Sequence, residues 1–255
     1  MRNAMSDVLD LTDKVALVTG GTRGLGYAMA HAFADHGADV IVASRKADAC
    51  ERVAAEIAAK GRRSLGVPCH VGHWDQVTAL AETAYDAFGR VDILVNNAGL
   101  SPLYPSLAQV TEELFDKVVG INLKGPFRLS ALVGERMAAG DGGSIINISS
   151  TAAEQPSPEA EPYGAAKAGI NSLTRSLAFA YGPTVRANTI EAGPFLTDIS
   201  KAWDMAAFEA RAKESMALGR GGRPDEIVGA ALYLASDASS FTTGAVIRVD
   251  GGARL

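Results

Sequence analysis

Short, β-branched stretches alternate with longer helical ones along almost the whole chain, and this alternation restricts the possible folds more than any other feature. Buried strands are predicted at about 15–18, 40–42, 64–67, 91–95, 144–148, 185–190 and 246–249. Helices are predicted at about 26–36, 47–60, 74–88, 111–137 with interruptions near 120–126, from near 163, and 224–234. Because no polar linker divides the pattern, the sequence predicts one α/β domain, a doubly wound, largely parallel sheet of about seven strands with helices on both faces.

Charge and composition restrict the partners. The net charge of −5 and a pI near 5.4 argue against nucleic acid and anionic membranes. No apolar run approaches the roughly 18 residues of a membrane span, and the first ten residues lack the apolar core of a secretory signal. We expect a flexible tail at 1–13 and the domain at 14–255. Cys50 and Cys69 suit a reducing cytoplasm, and neither has metal ligands beside it, so no metal site is predicted.

A glycine-rich turn, TGGTRGLG from Thr19 to Gly26, follows the first predicted strand and opens the first predicted helix. Glycines permit a tight turn and close backbone approach, and a helix N-terminus offers free N–H groups to a pyrophosphate. Since the turn lies between strand and helix at the start of a βαβ array, it predicts a nucleotide site. The predicted contacts are Gly20, Thr22, Arg23, Gly24, Leu25 and Gly26.

The end of the second predicted strand bears on which nucleotide binds. A NAD site usually has a carboxylate there for the ribose 2′-hydroxyl. This chain has Ser44 and Arg45, with no acid before Asp48. Arg45 and Arg23 would bind a 2′-phosphate through paired hydrogen bonds. We therefore expect NADP(H) rather than NAD(H). The alternative is that both arginines are solvated surface side chains.

Tyr163 and Lys167 are four residues apart, so on a helix they share one face. A free phenol has a pKa of about 10 and exchanges protons poorly at neutral pH. A neighbouring ammonium is expected to lower that pKa toward the range that general acid–base catalysis requires. Ser150 adds a neutral hydroxyl for the oxygen of a carbonyl or an alcohol. Alone, the Tyr/Lys pair is weak evidence, because YxxxK occurs by chance on many exposed helices.

Together these motifs resemble those of the short-chain dehydrogenase/reductase family, and the resemblance extends over nearly the whole chain, from residue 14 to residue 252. The motifs occur in the family's order: TGGTRGLG, NNAG at 96–99, Asn122, Ser150, YGAAK at 163–167, and VDGG at 249–252. The resemblance implies a Rossmann-type fold and an NAD(P)-dependent oxidoreductase that interconverts a ketone and a secondary alcohol.

The resemblance also implies roles for the four catalytic candidates. Tyr163 would be the general acid in reduction and the base in oxidation. Lys167 would lower the pKa of Tyr163 and bind the nicotinamide ribose. Ser150 would orient the substrate oxygen. Asn122 would hold a water that links Lys167 to solvent, although a residue that caps or kinks a helix is the alternative.

Further cofactor contacts are implied at Val71, Asn97, Ala98, Gly99, Gly193, Phe195 and Thr197. For Asn97 and Gly99, a purely structural turn is the alternative. Where the family often has an adenine-binding aspartate, this chain has His70, which leaves the backbone N–H of Val71 for the adenine. The usual Pro-Gly after the sixth strand is replaced by Ala192-Gly193-Pro194.

Residues 196–222 break the strand–helix rhythm. They carry Trp203, Met205 and Phe208 on an otherwise polar segment near the predicted active-site edge. This arrangement indicates a substrate lid. The alternative is that these side chains simply complete the core.

Leu100, Ser101, Phe195 and Trp203 are predicted neighbours of the substrate. The candidates are a small carbonyl compound, a sugar acid and a 3-oxoacyl thioester. The residues at 140–142 and 181–183 are not basic, unlike those of relatives that use an acyl carrier protein, which argues against an acidic carrier. A catalytically silent nucleotide-binding or scaffold protein is the alternative function, but it would be expected to lack the tyrosine or the lysine. Family members of this size are commonly homotetramers, so a homo-oligomer, tetramer or dimer, is expected.

Overall fold

The computed structural model describes residues 8–155, 157–197, 200 and 203–253. The strands of this part are β1 (Val15–Thr19), β2 (Asp39–Ser44), β3 (Ser64–Pro68), β4 (Ile93–Asn96), β5 (Gly143–Ser150), β6 (Val185–Ala192) and β7 (Val246–Val249). The helices are α1 (Gly24–Asp35), α2 (Ala47–Ala58), α3 (Trp74–Phe88), α4 (Glu112–Val119), α5 (Gly125–Ala139), α6 (Glu161–Tyr181), α7 (Met205–Ser215) and α8 (Val228–Ala235).

The strands form one parallel sheet of seven in the order β3-β2-β1-β4-β5-β6-β7. The chain builds outward from β1 to β3, and then returns to place β4 on the other side of β1. This reversal makes the gap between the carboxyl ends of β1 and β4 the switch point, where ligands of such sheets bind. The predicted doubly wound α/β fold is confirmed.

The central strands are apolar on both faces because helices cover both faces of the sheet. In β1, Ala16 and Val18 belong to one apolar cluster, which also contains residues of α1, α2 and α8. Val15 and Leu17 belong to a second cluster, with residues of α3, α5 and α6. The alternation of side chains along the strand therefore divides the core into two layers.

The helix predicted over 111–137 is interrupted where the sequence indicated. A five-residue π-helical turn, Gly120–Lys124, separates α4 from α5. A Cβ atom at Gly125 would lie 2.1 Å from the carbonyl oxygen of Val71, so the start of α5 needs a glycine to pack against the loop after β3. The helix predicted over 224–234 is instead a short 3₁₀ turn, Pro224–Ile227, followed by α8.

The packed domain begins earlier than the predicted boundary at residue 14. Residues 1–7 lie outside the described part of the chain. Leu11, however, is only 1% exposed, and its N–H donates to the carbonyl oxygen of His36 at 2.8 Å. The end of the predicted tail is therefore part of the core, because an apolar side chain there fills a space beside α1.

Helix α7 carries a small apolar cluster of its own. Phe208, Ala212 and Met216 are buried, and Leu196, Trp203, Met205 and Ala253 pack on them. Residues 198–199 and 201–202 of the predicted lid lie outside the described residues. The lid stays a prediction, and its side chains form a cluster distinct from the two main layers. None of the helices in the described ranges combines the length and apolarity that a bilayer span requires.

Candidate active site

Tyr163 and Ser150 meet at the carboxyl end of β5. Ser150 is the last residue of this strand, and Tyr163 lies in the first turn of α6. Their side chains share a hydrogen bond. The Ser150 Oγ also accepts a hydrogen bond of 3.2 Å from the N–H of Ala152, in the 3₁₀ turn Thr151–Ala153. The serine hydroxyl is therefore fixed from both sides, toward the tyrosine and toward the turn that follows it.

Lys167 lies one turn of α6 after Tyr163 and is only 4% exposed. Its Nζ lies 5.5 Å from the centre of the Tyr163 ring and donates a 2.8 Å hydrogen bond to the carbonyl oxygen of Ile148. The ammonium is thus held between α6 and β5, on one face of the Tyr163 ring.

Burial controls the proton affinity of both groups. It lowers the pKa of Lys167 to about 8. Burial also raises the pKa of Tyr163, and the hydrogen bond with Ser150 offsets only part of that rise. The direction of the Tyr163 pKa shift is therefore opposite to the expected lowering, because burial removes the hydration of the phenolate.

Asn122 is fully buried in the π-helical turn. Its Nδ2 donates to the carbonyl oxygens of Leu100 at 2.8 Å and Val118 at 2.9 Å, and its Oδ1 accepts from the N–H of Leu100 at 3.3 Å. A Cβ atom at Gly99 would lie 3.1 Å from the Asn122 Oδ1 and 3.8 Å from the Lys167 Nζ. Asn122 therefore stabilises the kink and also brings an amide oxygen to the lysine side of the site.

The glycine-rich turn is shaped for close approach of a ligand. Gly20 and Gly24 have φ angles of 65° and 54°, in the left-handed region. A Cβ atom at Gly26 would lie 2.3 Å from the carbonyl oxygen of Gly20, so only glycine fits. Arg23 is the N-cap residue of α1, but no side chain caps the helix, and its first turn has no acidic residue. The N-terminal N–H groups of α1 are therefore available to an anion such as a pyrophosphate. These features fit a dinucleotide.

Comparison with known proteins agrees with the fold described above. A family model described as enoyl-(acyl carrier protein) reductase matches residues 20–254. Human dehydrogenase/reductase SDR family member 4 is 37% identical over 244 residues, which cover 95% of this chain and 88% of the relative. The chain belongs to the short-chain dehydrogenase/reductase family. It is accordingly an oxidoreductase that acts on CH–OH groups with a nicotinamide cofactor.

Solved structures of other family members superpose closely. The NADPH-dependent 3-quinuclidinone reductase of Rhodotorula rubra has a TM-score of 0.92 and 32% identity, covering 99% of this chain and 95% of its own. A 7α-hydroxysteroid dehydrogenase complexed with NADH and a 7-oxo bile acid has a TM-score of 0.93 and 35% identity, covering 99% and 98%. Because these neighbours use different nicotinamide cofactors, a preference in this chain has to be argued from its own residues.

The predicted cofactor contacts Ser44 and Arg45 lie at the carboxyl end of β2. The Thr22 Oγ1 donates to the Ser44 Oγ at 3.0 Å, which ties the glycine-rich turn to the end of β2. Arg23 and Arg45 are both exposed, and neither forms an ion pair within the described part of the chain. Val71 is half-buried, and the ring of the preceding His70 accepts a 3.2 Å hydrogen bond from the N–H of Gly72 at Nδ1.

Asn97 and Ala98 hold the loop after β4 against the loop after β1. The Asn97 Nδ2 donates to the carbonyl oxygen of Thr19 at 2.9 Å, and the N–H groups of Asn97 and Ala98 donate to the Thr19 Oγ1 at 3.0 and 3.2 Å. The side chain of Asn97 thus has the structural function that the sequence left open. Sequence reasoning did not select Thr19, although its hydroxyl, placed where a strand meets a glycine turn, joins the two loops.

The loop after β6 lies over the glycine-rich turn. A Cβ atom at Gly24 would be 3.3 Å from the Thr197 Cγ2, so Thr197 reaches the glycine-rich turn. Gly193 packs on Asp250, where a Cβ atom would approach its Cα to 2.6 Å. Phe195 differs from expectation, because its ring packs on Gly222 and is 7% exposed. The ring belongs to the core, and a contact of Phe195 with the cofactor stays a prediction.

The other three predicted substrate neighbours have defined surroundings. Trp203 packs against Phe208 with ring centres 5.1 Å apart, inside the α7 cluster. Leu100 is held by Asn122 as described, and Ser101 beside it is half-buried. Sequence reasoning missed Tyr104, whose hydroxyl accepts a 2.7 Å hydrogen bond from the N–H of Glu161 at the start of α6.

Proposed function

We propose that this enzyme interconverts a ketone and a secondary alcohol with NADP(H), and that Tyr163 transfers the proton. The observation that carries the proposal is the convergence of the hydroxyls of Tyr163 and Ser150 above the buried ammonium of Lys167, at the carboxyl end of β5. This point lies one strand from the switch point where the glycine-rich turn would hold the cofactor.

The position of each group determines the role that we propose for it in the reaction. The nicotinamide cofactor, when bound, supplies the hydride acceptor or donor. The helix α1 N-terminus binds the pyrophosphate, Ser150 orients the substrate oxygen, and the Tyr163 hydroxyl gives its proton to that oxygen. Since burial raises the pKa of Tyr163, the phenol is protonated at neutral pH and carries the proton that carbonyl reduction consumes. We therefore propose carbonyl reduction as the direction favoured at neutral pH, with alcohol oxidation favoured at alkaline pH.

A narrow apolar crevice lies beside Tyr163; in this structure it has no room for a water molecule, so a substrate would have to widen it. It is lined by Pro102, Tyr104, Leu114, Val118, Ala160 and Pro162. Such a surface gives few hydrogen-bond partners to a sugar acid, whose hydroxyls would lose most of their hydration there. We propose a small or medium apolar ketone as the substrate class.

The direct test is a panel of ketones, sugar acids, 3-oxoacyl thioesters and the matching alcohols, assayed in parallel with NADPH/NADP and NADH/NAD. We expect turnover of apolar ketones with NADPH. Tight binding of NADPH without turnover of any compound would instead support the catalytically silent alternative.

We propose that Arg45 and Arg23 select NADP(H) by binding its 2′-phosphate. Arg45→Ala removes one charge-assisted contact of about 1.5–3 kcal/mol, so the KM for NADPH should rise about 10- to 100-fold. The KM for NADH should change by less than about twofold, because NADH has no phosphate there. Steady-state kinetics with both cofactors measure the difference.

The matched control is Arg52→Ala, since Arg52 is an exposed arginine of α2 that pairs with Glu56. It should leave both KM values unchanged. Equal losses with NADPH and NADH in Arg45→Ala would contradict the proposed phosphate contact.

We also propose a cytoplasmic location, which suits the two free cysteines. In addition, we propose that the chain forms a homo-oligomer, a tetramer or a dimer. Phe179 on α6 is 91% exposed and Phe241 before the edge strand β7 is fully exposed, which is costly for isolated aromatic side chains. Light scattering should give a multiple of the 26.4 kDa chain mass. Phe179→Glu and Phe241→Glu should lower that mass, whereas a wild-type monomer would contradict the proposal.

A further inference from the structure

Arg248, on the edge strand β7, contacts carboxylates from three separate parts of the chain. Its Nη2 pairs with the Oε2 of Glu154. Its Nε lies 3.2 Å from the Oε1 of Glu191 and 3.7 Å from the Oδ2 of Asp250. Together with Asn171, these residues form what we call the Arg248 clamp.

Glu191 is the buried member of the clamp, with no exposed surface. It lies on β6 opposite Ser149 of β5, one residue before the pair formed by Ser150 and Ala192. Its Oε2 accepts a 3.2 Å hydrogen bond from the Asn171 Nδ2. Because Asn171 follows Lys167 by one turn on α6, this carboxylate joins β6 to the helix face that carries the catalytic candidates.

Glu154 is the outer member of the clamp. Its side chain is 43% exposed, and it directly follows the 3₁₀ turn Thr151–Ala153 whose Ala152 N–H donates to the Ser150 Oγ. The N–H of Glu154 donates to the carbonyl oxygen of Thr151. The guanidinium of Arg248 therefore connects the turn that fixes Ser150 to the buried carboxylate under α6.

We propose that Arg248 is a positioning residue that fixes the Ser150 turn relative to the Tyr163–Lys167 face of α6. This inference rests on the proposed function, in which Ser150 orients the substrate oxygen. An ion pair as exposed as Arg248–Glu154 adds little to the free energy of unfolding. Its consequence is geometric, because a displacement of about 1 Å at a reacting group is enough to cost about 100-fold in rate.

Glu154→Ala removes the outer contact without leaving a buried charge unpaired. We expect kcat to fall about tenfold, with the melting temperature and the Kd of NADPH unchanged. Glu154→Gln keeps an acceptor for the guanidinium and should recover most of the loss. The control is Asp35→Ala, which removes the exposed partner of Lys60 between α1 and α2 and should change nothing.

A second pair of variants separates positioning from stability. Arg248→Met leaves Glu191 buried without its counter-charge, so the melting temperature should fall. The double variant Arg248→Met/Glu191→Gln also neutralises the fully buried carboxylate and should regain most of the melting temperature, although Asp250 stays charged. Its kcat should stay about tenfold low because the Ser150 turn is still untethered. If kcat returns together with the melting temperature, Arg248 is merely structural and the proposal is overturned.

Hydrogen–deuterium exchange gives a readout that needs no turnover. The N–H groups of Ala152, Glu154 and Gln155 are hydrogen-bonded within the turn. Exchange at 151–155 should be faster in Glu154→Ala and in the double variant than in the wild type. Unchanged exchange in the variants overturns the clamp even in an active enzyme. Faster exchange in the variants, combined with a wild type that turns over no carbonyl compound, supports the clamp and rejects only the proposed function.

Discussion

Tyr163→Phe is expected to lower kcat for carbonyl reduction by about 10²- to 10⁴-fold, which is the usual contribution of a positioned acid or base. The phenylalanine keeps the ring that packs above Lys167 and removes only the hydroxyl that bonds with Ser150. The Kd of NADPH should therefore change by less than about threefold. Single-turnover kinetics and fluorescence titration with NADPH measure the two quantities separately.

The control for this variant is Tyr233→Phe. Tyr233 is a half-buried tyrosine of α8 whose hydroxyl bonds with Thr242, on the opposite face of the sheet from α6. It loses the same atom outside the candidate site and should retain near-normal kcat. Near-normal turnover in Tyr163→Phe would refute the assignment of the proton donor, whatever its effect on stability.

The fold was predictable because each of its elements produces a recognisable pattern in the local sequence. Parallel strands covered on both faces appear as continuous apolar runs, and β1 and β4 are such runs with every residue buried. The glycine-rich turn was predictable for a steric reason, since Gly26 has no room for a Cβ atom. The interruption of the helix near Gly120 was also visible, although its π-helical form was not.

The candidate site was less predictable where burial, or contacts between residues distant in sequence, determine the properties and orientation of its side chains. The direction of the Tyr163 pKa shift depends on the hydration that the folded chain removes, which residue spacing alone does not reveal. The Phe195 ring turns into the core because Gly222 leaves space for it. Arg248 contacts residues that lie 94 and 57 positions away in the sequence, so no local sequence pattern predicts these contacts.

Lys167→Met is expected to lose most turnover and yet to be more stable than the wild type at pH 7. The pKa of Lys167 is about 8 in the folded chain and 10.5 when the side chain is solvated. At 1.36 kcal/mol per pKa unit, burying the ammonium costs about 3 kcal/mol. Methionine has a similar shape without the charge, and loss of the hydrogen bond to Ile148 subtracts about 1 kcal/mol. A net gain of about 2 kcal/mol corresponds to roughly 4–8 °C in Tm.

The pH dependence of the free energy of unfolding identifies the cause of this gain in stability. Between pH 8 and 10.5 the unfolded wild type binds more protons at Lys167 than the folded form does, so its free energy of unfolding rises with pH. Below pH 8 both forms are protonated and the full cost is present. The advantage of Lys167→Met should therefore be constant up to about pH 8 and shrink above it. Denaturant titrations of both proteins from pH 7 to 9.5 measure this, and the titration of Tyr163, present in both, largely cancels in the difference. A variant less stable at pH 7, or an advantage independent of pH, would show that the buried ammonium is not the strained group at this site.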